Sequence, residues 1–410
     1  MLDAYIYDGV RTAFGKYCSA LAQVRPDDLA AAVIKALIER NEFDPLLIDD
    51  VVLGCACQSG EDSRNIARYA SLLAGLPVQV SGQTVNRLCG SSLAAIIDVS
   101  RAITCGEGDV YIAGGVESMT RAPLTFNKSN TAYSKDIKIY DSAIGVRFPN
   151  VNFGKQYGHE AMPETADNVA RQENISREQC DDFAYNSQQK WKTASDKGFF
   201  KNEIISVAIP QKRGKPDIIV DTDEHPRPQA TQDKMSSMRP LFEDGVVTAA
   251  NASGINDGAA AVLMGSRAFG ERHHLKPMAR VLGGATAGVE PTIMGLGPVP
   301  ACQKLLKRLN LTIDQMDVIE VNEAFAAQVL GDLKQLGIAS DDPRINPNGG
   351  AIAVGHPLGA SGARIALTAA RQLQQTGGRY ALIAMCIGVG QGIAMVIENS
   401  KFKIQNKVTE

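Results

Sequence analysis

Apolar positions in the first quarter of the chain switch repeatedly between a short-run pattern and a helical one. Ala4 to Tyr7 predicts a short strand. From Asp27 to Arg40 the apolar residues Leu29, Val33, Ala36 and Leu37 recur at helical spacing, and Pro26 and Asp27 supply a start. Asp50 to Gly54 reads DVVLG, a buried-strand pattern, and Asn65 to Leu73 turns helical again. Gln83-Thr-Val then leads through Cys89-Gly-Ser-Ser into a helix predicted to end near Thr104. Gly106 and Gly108 break that helix, and Val110 to Ala113 predicts another strand, ended by Gly114-Gly115. Strands alternating with helices predict a wound α/β sheet.

Residues 120–247 have a different texture, with frequent Asn, Ser, Lys, Pro and Asp. Helical spacing survives at Thr165–Glu173 and Arg177–Ser195, whereas Lys212–Pro240 predicts loop. This region reads as an insertion over the sheet. The strand–helix rhythm resumes near Ala259 and runs to Glu398. There Gly355-His356-Pro-Leu-Gly-Ala-Ser361-Gly leads into a small-residue helix reaching about Gln375. Gly377-Gly378 follows, then an apolar strand from Tyr380 to Met385 and the turn Cys386-Ile-Gly388. Each half thus runs turn, helix, glycine break, apolar strand, glycine turn, which a duplicated βαβ unit explains. The expected division is 1–119 with 248–270 as a first half, 120–247 as an inserted loop domain, 271–399 as a second half and 400–410 as a polar tail.

Composition narrows the function classes. The 410 residues are 44% hydrophobic, enough for a large core, and 42 basic against 45 acidic residues give a net charge of −3. That balance calls for neither nucleic acid nor an anionic membrane as partner. Asp3 and Asp8 interrupt any signal-peptide core, and no stretch approaches the roughly 18 uncharged apolar residues of a spanning helix. The final Lys-Val-Thr-Glu410 is not a peroxisomal address, so a cytoplasmic protein is expected. Eight cysteines in a chain this long imply no disulfide scaffold, and the C-A-C of Cys55 and Cys57 lacks zinc-site spacing; no metal is expected.

The search for a general base is short, because only five histidines exist: 159, 225, 273, 274 and 356. His273 and His274 lie in a charged stretch and His225 in a Pro-rich one. His356 alone has glycine and small residues on both sides, which let a ligand or backbone approach closely. A packed structural turn explains such a histidine as well as catalysis does. Cys89 stands at a strand-to-helix turn, where the helix N-terminus is expected to lower its pKa and favour thiolate; a small buried hydrophobe in an elbow is the alternative. Cys386 precedes Gly388-Val-Gly390-Gln-Gly392, whose amides are free to face an oxyanion. A dinucleotide loop is set aside, since too little chain follows for the βαβ unit it requires. Asn322, after the apolar Val318–Val321, suits an oxyanion or water-holding amide, or a helix N-cap, and Glu323 is placed to orient a neighbour.

Taken together, V-N-R-L-C89-G-S, N322-E-A-F-A, G-G-A-I-A-V-G-H356-P-L-G-A-S-G and C386-I-G-V-G-Q-G resemble the thiolase signatures, in thiolase order. N251-A-S253-G-I-N-D-G-A-A-A and A113-G-G-V-E-S-M119 are similar to thiolase segments as well, and the resemblance spans about residues 3–398. It implies a five-layer αβαβα thiolase fold of two related halves with a loop domain, dimeric or tetrameric. It implies Cys89 as acylated nucleophile, His356 as base, and Cys386 as the acid/base at the α-carbon. Asn322 would hold an oxyanion water, and the amides of Cys89 and Gly388 a second oxyanion hole. Ser253, Met162, Ala324 and Phe325 match positions near pantetheine and acyl group. Ser92, Val389 and Ala250 stand where many thiolases have glycine, and Ser92 would narrow the acyl pocket if it pointed inward.

Within the family, G60-E-D-S-R-N-I-A-R, D141-S-A-I-G-V-R-F-P, A161-M-P-E-T-A-D-N-V-A and C386-I-G-V-G-Q-G are most similar to the 3-oxoadipyl-CoA thiolases of aromatic catabolism. The expected reaction is reversible CoA-dependent cleavage of 3-oxoadipyl-CoA to succinyl-CoA and acetyl-CoA, with CoA as cosubstrate and no bound cofactor. Such a substrate carries a terminal carboxylate. Lys128, Lys135, Lys138 and Arg147 are candidate partners, with Arg147 preferred because it precedes the match around Met162; a surface arginine in a loop is the other reading. General 3-ketoacyl-CoA thiolase of fatty-acid metabolism and acetoacetyl-CoA thiolase remain alternatives for the acyl chain. A ketoacyl synthase would carry a second histidine or an asparagine and lack Cys386. A non-catalytic acyl-CoA- or lipid-binding relative would not keep Cys89, Asn322, His356 and Cys386 together.

Overall fold

The computed structural model describes residues 1–402; the expected tail beyond Phe402 lies outside them. The central sheet has eleven strands, two of them short side segments, Gly15–Lys16 and Ile204–Ile205; the nine on its main path are β1 (Ala4–Thr12), β2 (Asp50–Gly54), β3 (Ser81–Val85), β4 (Val110–Ser118), β5 (Asn256–Gly265), β6 (Ala279–Gly288), β7 (Val318–Val321), β8 (Tyr380–Ile387) and β9 (Gln391–Asn399). Their order across the sheet is β7-β8-β9-β6-β1-β5-β4-β2-β3. The principal helices are α1 (Pro26–Arg40), α2 (Ile66–Leu73), α3 (Ser91–Cys105), α4 (Met162–Glu173), α5 (Arg177–Asp196), α6 (Pro298–Leu309), α7 (Ala326–Leu336) and α8 (Leu358–Thr376).

The duplicated pattern is present as matched register. β4 pairs parallel with β2 and antiparallel with β5, and β5 pairs antiparallel with β1. In the second half β8 pairs parallel with β7 and antiparallel with β9, and β9 antiparallel with β6. The outer strand β3, parallel to β2, has its counterpart in a single parallel bridge between Ile319 and Ile345. The equivalent strands β1 and β6 pair with each other through Ala4–Val281, Tyr5–Arg280 and Ile6–Ala279. Hydrogen bonding is therefore continuous from one half to the other.

Helices α3 and α8 pack against each other between the two halves of the sheet, with α1 and α2 on the outer face of the first and α6 on that of the second. These are the five layers, and they explain why α8 is buried nearly all round. The contact is close because the facing residues are small: a Cβ on Gly362 would lie 2.4 Å from the backbone nitrogen of Leu93. The window Leu88–Cys105, containing α3, reaches a mean hydropathy of 1.3, long and apolar enough for a spanning helix although Asp98 and Arg101 interrupt it, and it is mostly buried in the protein. Its apolarity serves this central layer.

Some boundaries differ from those expected. β1 continues to Thr12 rather than stopping at Tyr7, and β4 runs through Gly114 and Gly115 to Ser118. Those glycines are not turn residues. A Cβ on Gly115 would lie 2.0 Å from the carbonyl oxygen of Gly359 in α8, so glycine permits close approach of strand and helix. The stretch expected to be loop contains the strand Ile218–Val220, paired with Val207–Ile209, and the helix Gln232–Ser236. Everything between β4 and β5 leaves and rejoins adjacent strands, and α4 and α5 pack on α7 of the second half.

Candidate active site

Cys89 and His356 occupy equivalent places, each two residues before a central helix, α3 and α8. The backbone at Leu88 is left-handed (φ 47°). The turn is tied by Ser91, whose Oγ accepts from the Arg87 amide at 2.9 Å and donates to the Leu88 carbonyl at 2.6 Å. Cys89 is half-buried, and its sulfur is faced by its own amide and by that of Gly388. Both amides favour thiolate, but burial outweighs them and pushes the thiol up to about 11. This corrects the expectation of a lowered pKa: desolvation at the helix start exceeds the attraction of its amides. Cys386, at the end of β8, is buried and close enough to Cys89 that a charge on one raises the other.

His356 is buried, and burial followed by repulsion from Arg364 lowers its pKa to about 3. Its backbone amide donates to Asn256 Oδ1 at 2.9 Å, and Asn256 Nδ2 donates to the Gly15 carbonyl at 2.9 Å, anchoring the turn to the first half. Gly355 has φ 107° and lies so close to Asn256 that a Cβ would meet Cγ at 2.6 Å. The ring nitrogens are distinguished by geometry. Nδ1 is 2.6 Å from Ser361 Oγ, and that hydroxyl is 2.9 Å from the Pro357 carbonyl. A carbonyl only accepts, so Ser361 donates to Pro357 and accepts from Nδ1–H. Nε2 is thus left as the basic nitrogen, with Asn322 Nδ2 3.4 Å away.

Asn322 is fully buried at the end of β7, and its amide donates to the Ala384 carbonyl of β8 at 2.9 Å. It is not an N-cap: α7 begins at Ala326 with Phe325 before it. Its Oδ1 has no partner among the described residues. Glu323 is buried, which raises its pKa, and accepts from Ser187 Oγ (2.7 Å), Asn346 Nδ2 (2.8 Å) and the Ile352 amide (3.1 Å). It thereby orients the chain that leads into His356.

Ser253, Ala324 and Phe325 come together, as the Ser253 amide donates to the Ala324 carbonyl at 2.9 Å and Ala252 bridges Phe325. Met162 reaches the same centre, since a Cβ on Gly388 would lie 3.7 Å from its sulfur and 3.4 Å from Leu88 Cδ1. A small cavity of about 40 Å³ lies beside it, lined by Val146, Phe153, His159, Met162, Pro291 and Val389 among others. Arg147 does not line that cavity. Its guanidinium donates to the Cys57 carbonyl at 3.3 Å and to Ser59 Oγ. Lys128, Lys135 and Lys138 are exposed. Ser92 does not face the acyl side either: it is fully buried, and its Oγ accepts from the Ala363 amide of α8 at 2.9 Å.

Sequence reading passed over Ser361, Asn256 and Glu117, although all three lie inside motifs it singled out. It also passed over a cleft of about 420 Å³ lined by Lys16, Arg227, Lys234, Met235, Ala249 and Ala250 among others. Lys16 lies far along the chain from Arg227 and Lys234, so the sequence carried no signal that the three meet. Another cavity, of about 410 Å³ around Tyr5, Tyr7, Arg267 and Arg280, contains none of these groups. All eight cysteines are free, and among the described residues no cluster of three or more His, Cys, Asp or Glu could hold a metal ion.

Residues 4–268 match the family model "Thiolase, N-terminal domain", and residues 275–399 match "Thiolase, C-terminal domain". The chain is 56% identical to a beta-ketoadipyl-CoA thiolase of Acinetobacter baylyi, covering 97% of this chain and 100% of that one. It is 53% identical to the 3-oxoadipyl-CoA/3-oxo-5,6-dehydrosuberyl-CoA thiolase of Escherichia coli, with the same coverage. The crystal structure of human mitochondrial 3-ketoacyl-CoA thiolase in complex with CoA superimposes with a TM-score of 0.89 at 39% identity, covering 97% of this chain and 98% of that one.

Proposed function

The chain belongs to the thiolase family and is an acyltransferase using CoA, and on that premise we propose that its reaction is thiolysis of 3-oxoadipyl-CoA to succinyl-CoA and acetyl-CoA. The observation that carries the chemistry is the linked set of groups at the two central helix starts: Cys89 against the Gly388 amide and Cys386, and His356 Nε2 beside Asn322. The acyl chain rests on relatives named for that substrate, at 56% and 53% identity.

In this reading His356 Nε2 takes the proton of Cys89. The neutral, Nδ1-protonated ring is the form able to accept that proton. The thiolate attacks C3 of the substrate, and the amides of Cys89 and Gly388 or the Asn322 side hold the resulting oxyanion. The C2–C3 bond breaks, its electron pair becomes the acetyl-CoA enolate, and Cys386 gives its proton to C2. CoA then gives its thiol proton to the Cys386 thiolate and attacks the Cys89 thioester. Cys89 leaves as thiolate and recovers its proton from His356, so every group is restored.

Ser253, Met162, Ala324 and Phe325 would contact pantetheine and acyl chain, and the cleft of Lys16, Arg227 and Lys234 suits the phosphate end of CoA. Arg147 remains our candidate for the terminal carboxylate. Its neighbour Val146 lines the cavity beside Met162, and its guanidinium is already fixed in place on Cys57 and Ser59. We divide the chain into two halves, 1–119 with 248–270 and 271–399, around an inserted 120–247, a division that the matched strand pairing of the halves supports. We propose a cytoplasmic location and a homotetramer, the latter supported by the exposed apolar side chains of the insertion, including Leu124, Phe126, Ile139 and Tyr133.

The test compares thiolysis of 3-oxoadipyl-CoA and acetoacetyl-CoA by the parent and Arg147→Ala. A parent preference for acetoacetyl-CoA would sink the oxoadipyl reading, and equal loss on both substrates would remove Arg147. Incubation with a radiolabelled acyl-CoA should label Cys89; an unlabelled Cys89 ends the acyl-enzyme reading.

A further inference from the structure

The first half holds a position equivalent to that of Cys386. Counting from the turn end, the second pair between β4 and β5 is Glu117 with Gly258, and between β8 and β9 it is Cys386 with Gly392. The parallel neighbours give the same correspondence. Gly115, two residues before Glu117, pairs with the last residue of β2, and Ala384, two before Cys386, pairs with the last residue of β7. Cys386 stands behind the turn of Cys89; Glu117 stands behind the turn of His356.

Glu117 is buried, and its carboxylate accepts three backbone amides from two distant segments. Oε2 accepts from Ala56 and from Gly359, each at 2.9 Å, and Oε1 accepts from Cys57 at 3.0 Å. Gly359 lies in the first turn of α8, where amides lack intrahelical acceptors and negative charge is favoured. The strand and helix backbones also approach closely here, since a Cβ on Gly359 would lie 2.3 Å from the Val116 carbonyl and 2.8 Å from that of Gly54. The titratable groups around Glu117 are Asp62, the Cys55 thiol 3.7 Å from Oε1, Cys57 and Cys89. Burial is the largest influence and pushes the carboxyl up to about 6, against the three amides.

We propose that Glu117 is a positioning residue of the acyl-transfer site: its carboxylate fastens the Cys55–Cys57 turn to the His356 turn and holds a negative charge behind Cys89. The proposal rests on the roles given above to Cys89 and His356. Glu117 acts through those turns and does not touch substrate.

The test uses the full chain with Glu117→Gln and Glu117→Asp, measuring thiolysis and iodoacetamide alkylation of Cys89 against pH. In Glu117→Gln one amide loses its acceptor and the charge is gone. Its kcat should fall about 10-fold, the worth of one hydrogen bond to a charged group, with KM within about twofold. Its Cys89 should alkylate several-fold faster at fixed pH, because the charge opposing thiolate has been removed. Glu117→Asp keeps the charge but not the reach, so its kcat should fall likewise while its alkylation profile follows the parent. An alkylation profile unchanged in Glu117→Gln overturns the charge role, and parent kcat in both variants overturns the clamp. Should the variants not fold, hydrogen exchange at Ala56, Cys57 and Gly359 in the parent decides. Protection, corrected for intrinsic rate, must weaken as pH falls through 6, and constant protection overturns the proposal. Thiolysis surviving in Cys89→Ser would instead remove the nucleophile assignment and leave the exchange result standing.

Discussion

Ser361 Oγ lies 2.6 Å from His356 Nδ1 and spends its own proton on the Pro357 carbonyl, so this hydroxyl fixes which ring nitrogen is basic. Ser361→Ala removes the acceptor for Nδ1–H and frees the imidazole to take the other tautomer. We expect kcat for thiolysis to fall roughly 10-fold, the cost of one buried hydrogen bond and part of the tautomer population. Steady-state kinetics checks this; a parent-like kcat would show that the tautomer is set elsewhere.

In the resting protein His356 should be neutral at every working pH. Its folded pKa of about 3 lies below the ordinary 6.5, so the folded state disfavours the proton. Its contribution to stability is therefore complete above 6.5 and is lost as pH falls from there toward 3. Nitrogen NMR of the ring should show one neutral, Nδ1-protonated form from pH 8 down to 5. A titration with midpoint near 6.5 would contradict the burial argument.

Cys89 should behave as a reluctant thiolate. With a pKa near 11, its alkylation rate should rise about tenfold per pH unit between pH 7 and 9. Stopped alkylation with mass spectrometry of the Cys89 peptide measures this. A plateau by pH 8 would mean that the amides of Cys89 and Gly388 prevail over desolvation after all.

Val389 combines a β-branched side chain with φ 65°, is half exposed, and lines the small cavity next to Met162. Val389→Gly relieves a left-handed strain worth about 1 kcal/mol and removes one wall. Thermal denaturation should show a slightly more stable protein, while the ratio of kcat/KM for 3-oxoadipyl-CoA over acetoacetyl-CoA drops. A less stable variant with an unchanged ratio would remove both roles from Val389.

The groups that meet at the site were readable because two residue types are informative here. Histidine is scarce, and small residues on both sides marked His356; glycines marked turns such as Gly388-Val389-Gly390. The repeated pattern of the halves was readable too, since apolar runs and glycine breaks recur. Environment was not. The sequence shows that Cys89 precedes a helix but not how much of it is dry, so the direction of its pKa was misjudged. Whether Ser92 points at the acyl pocket cannot be read without the partner helix, and it binds Ala363 instead. Gly114-Gly115 looked like a strand end because close approach to α8 and a turn ask for the same residue. Glu117 sat unremarked within a quoted motif, since its three acceptor contacts join segments far apart in the chain.

The pairing of β1 with β6 turns two similar halves into one ladder of hydrogen bonds. A seam of this kind has no hinge. Opening the molecule between Cys89 and His356 would mean breaking strand pairs rather than rotating one body past another. The spacing of Cys89 and His356 is consequently set when the chain folds. Adjustment to different acyl chains then falls to the insertion between β4 and β5, which joins the ladder through the short pairing of Ile204 and Ile205 with Arg11 and Thr12.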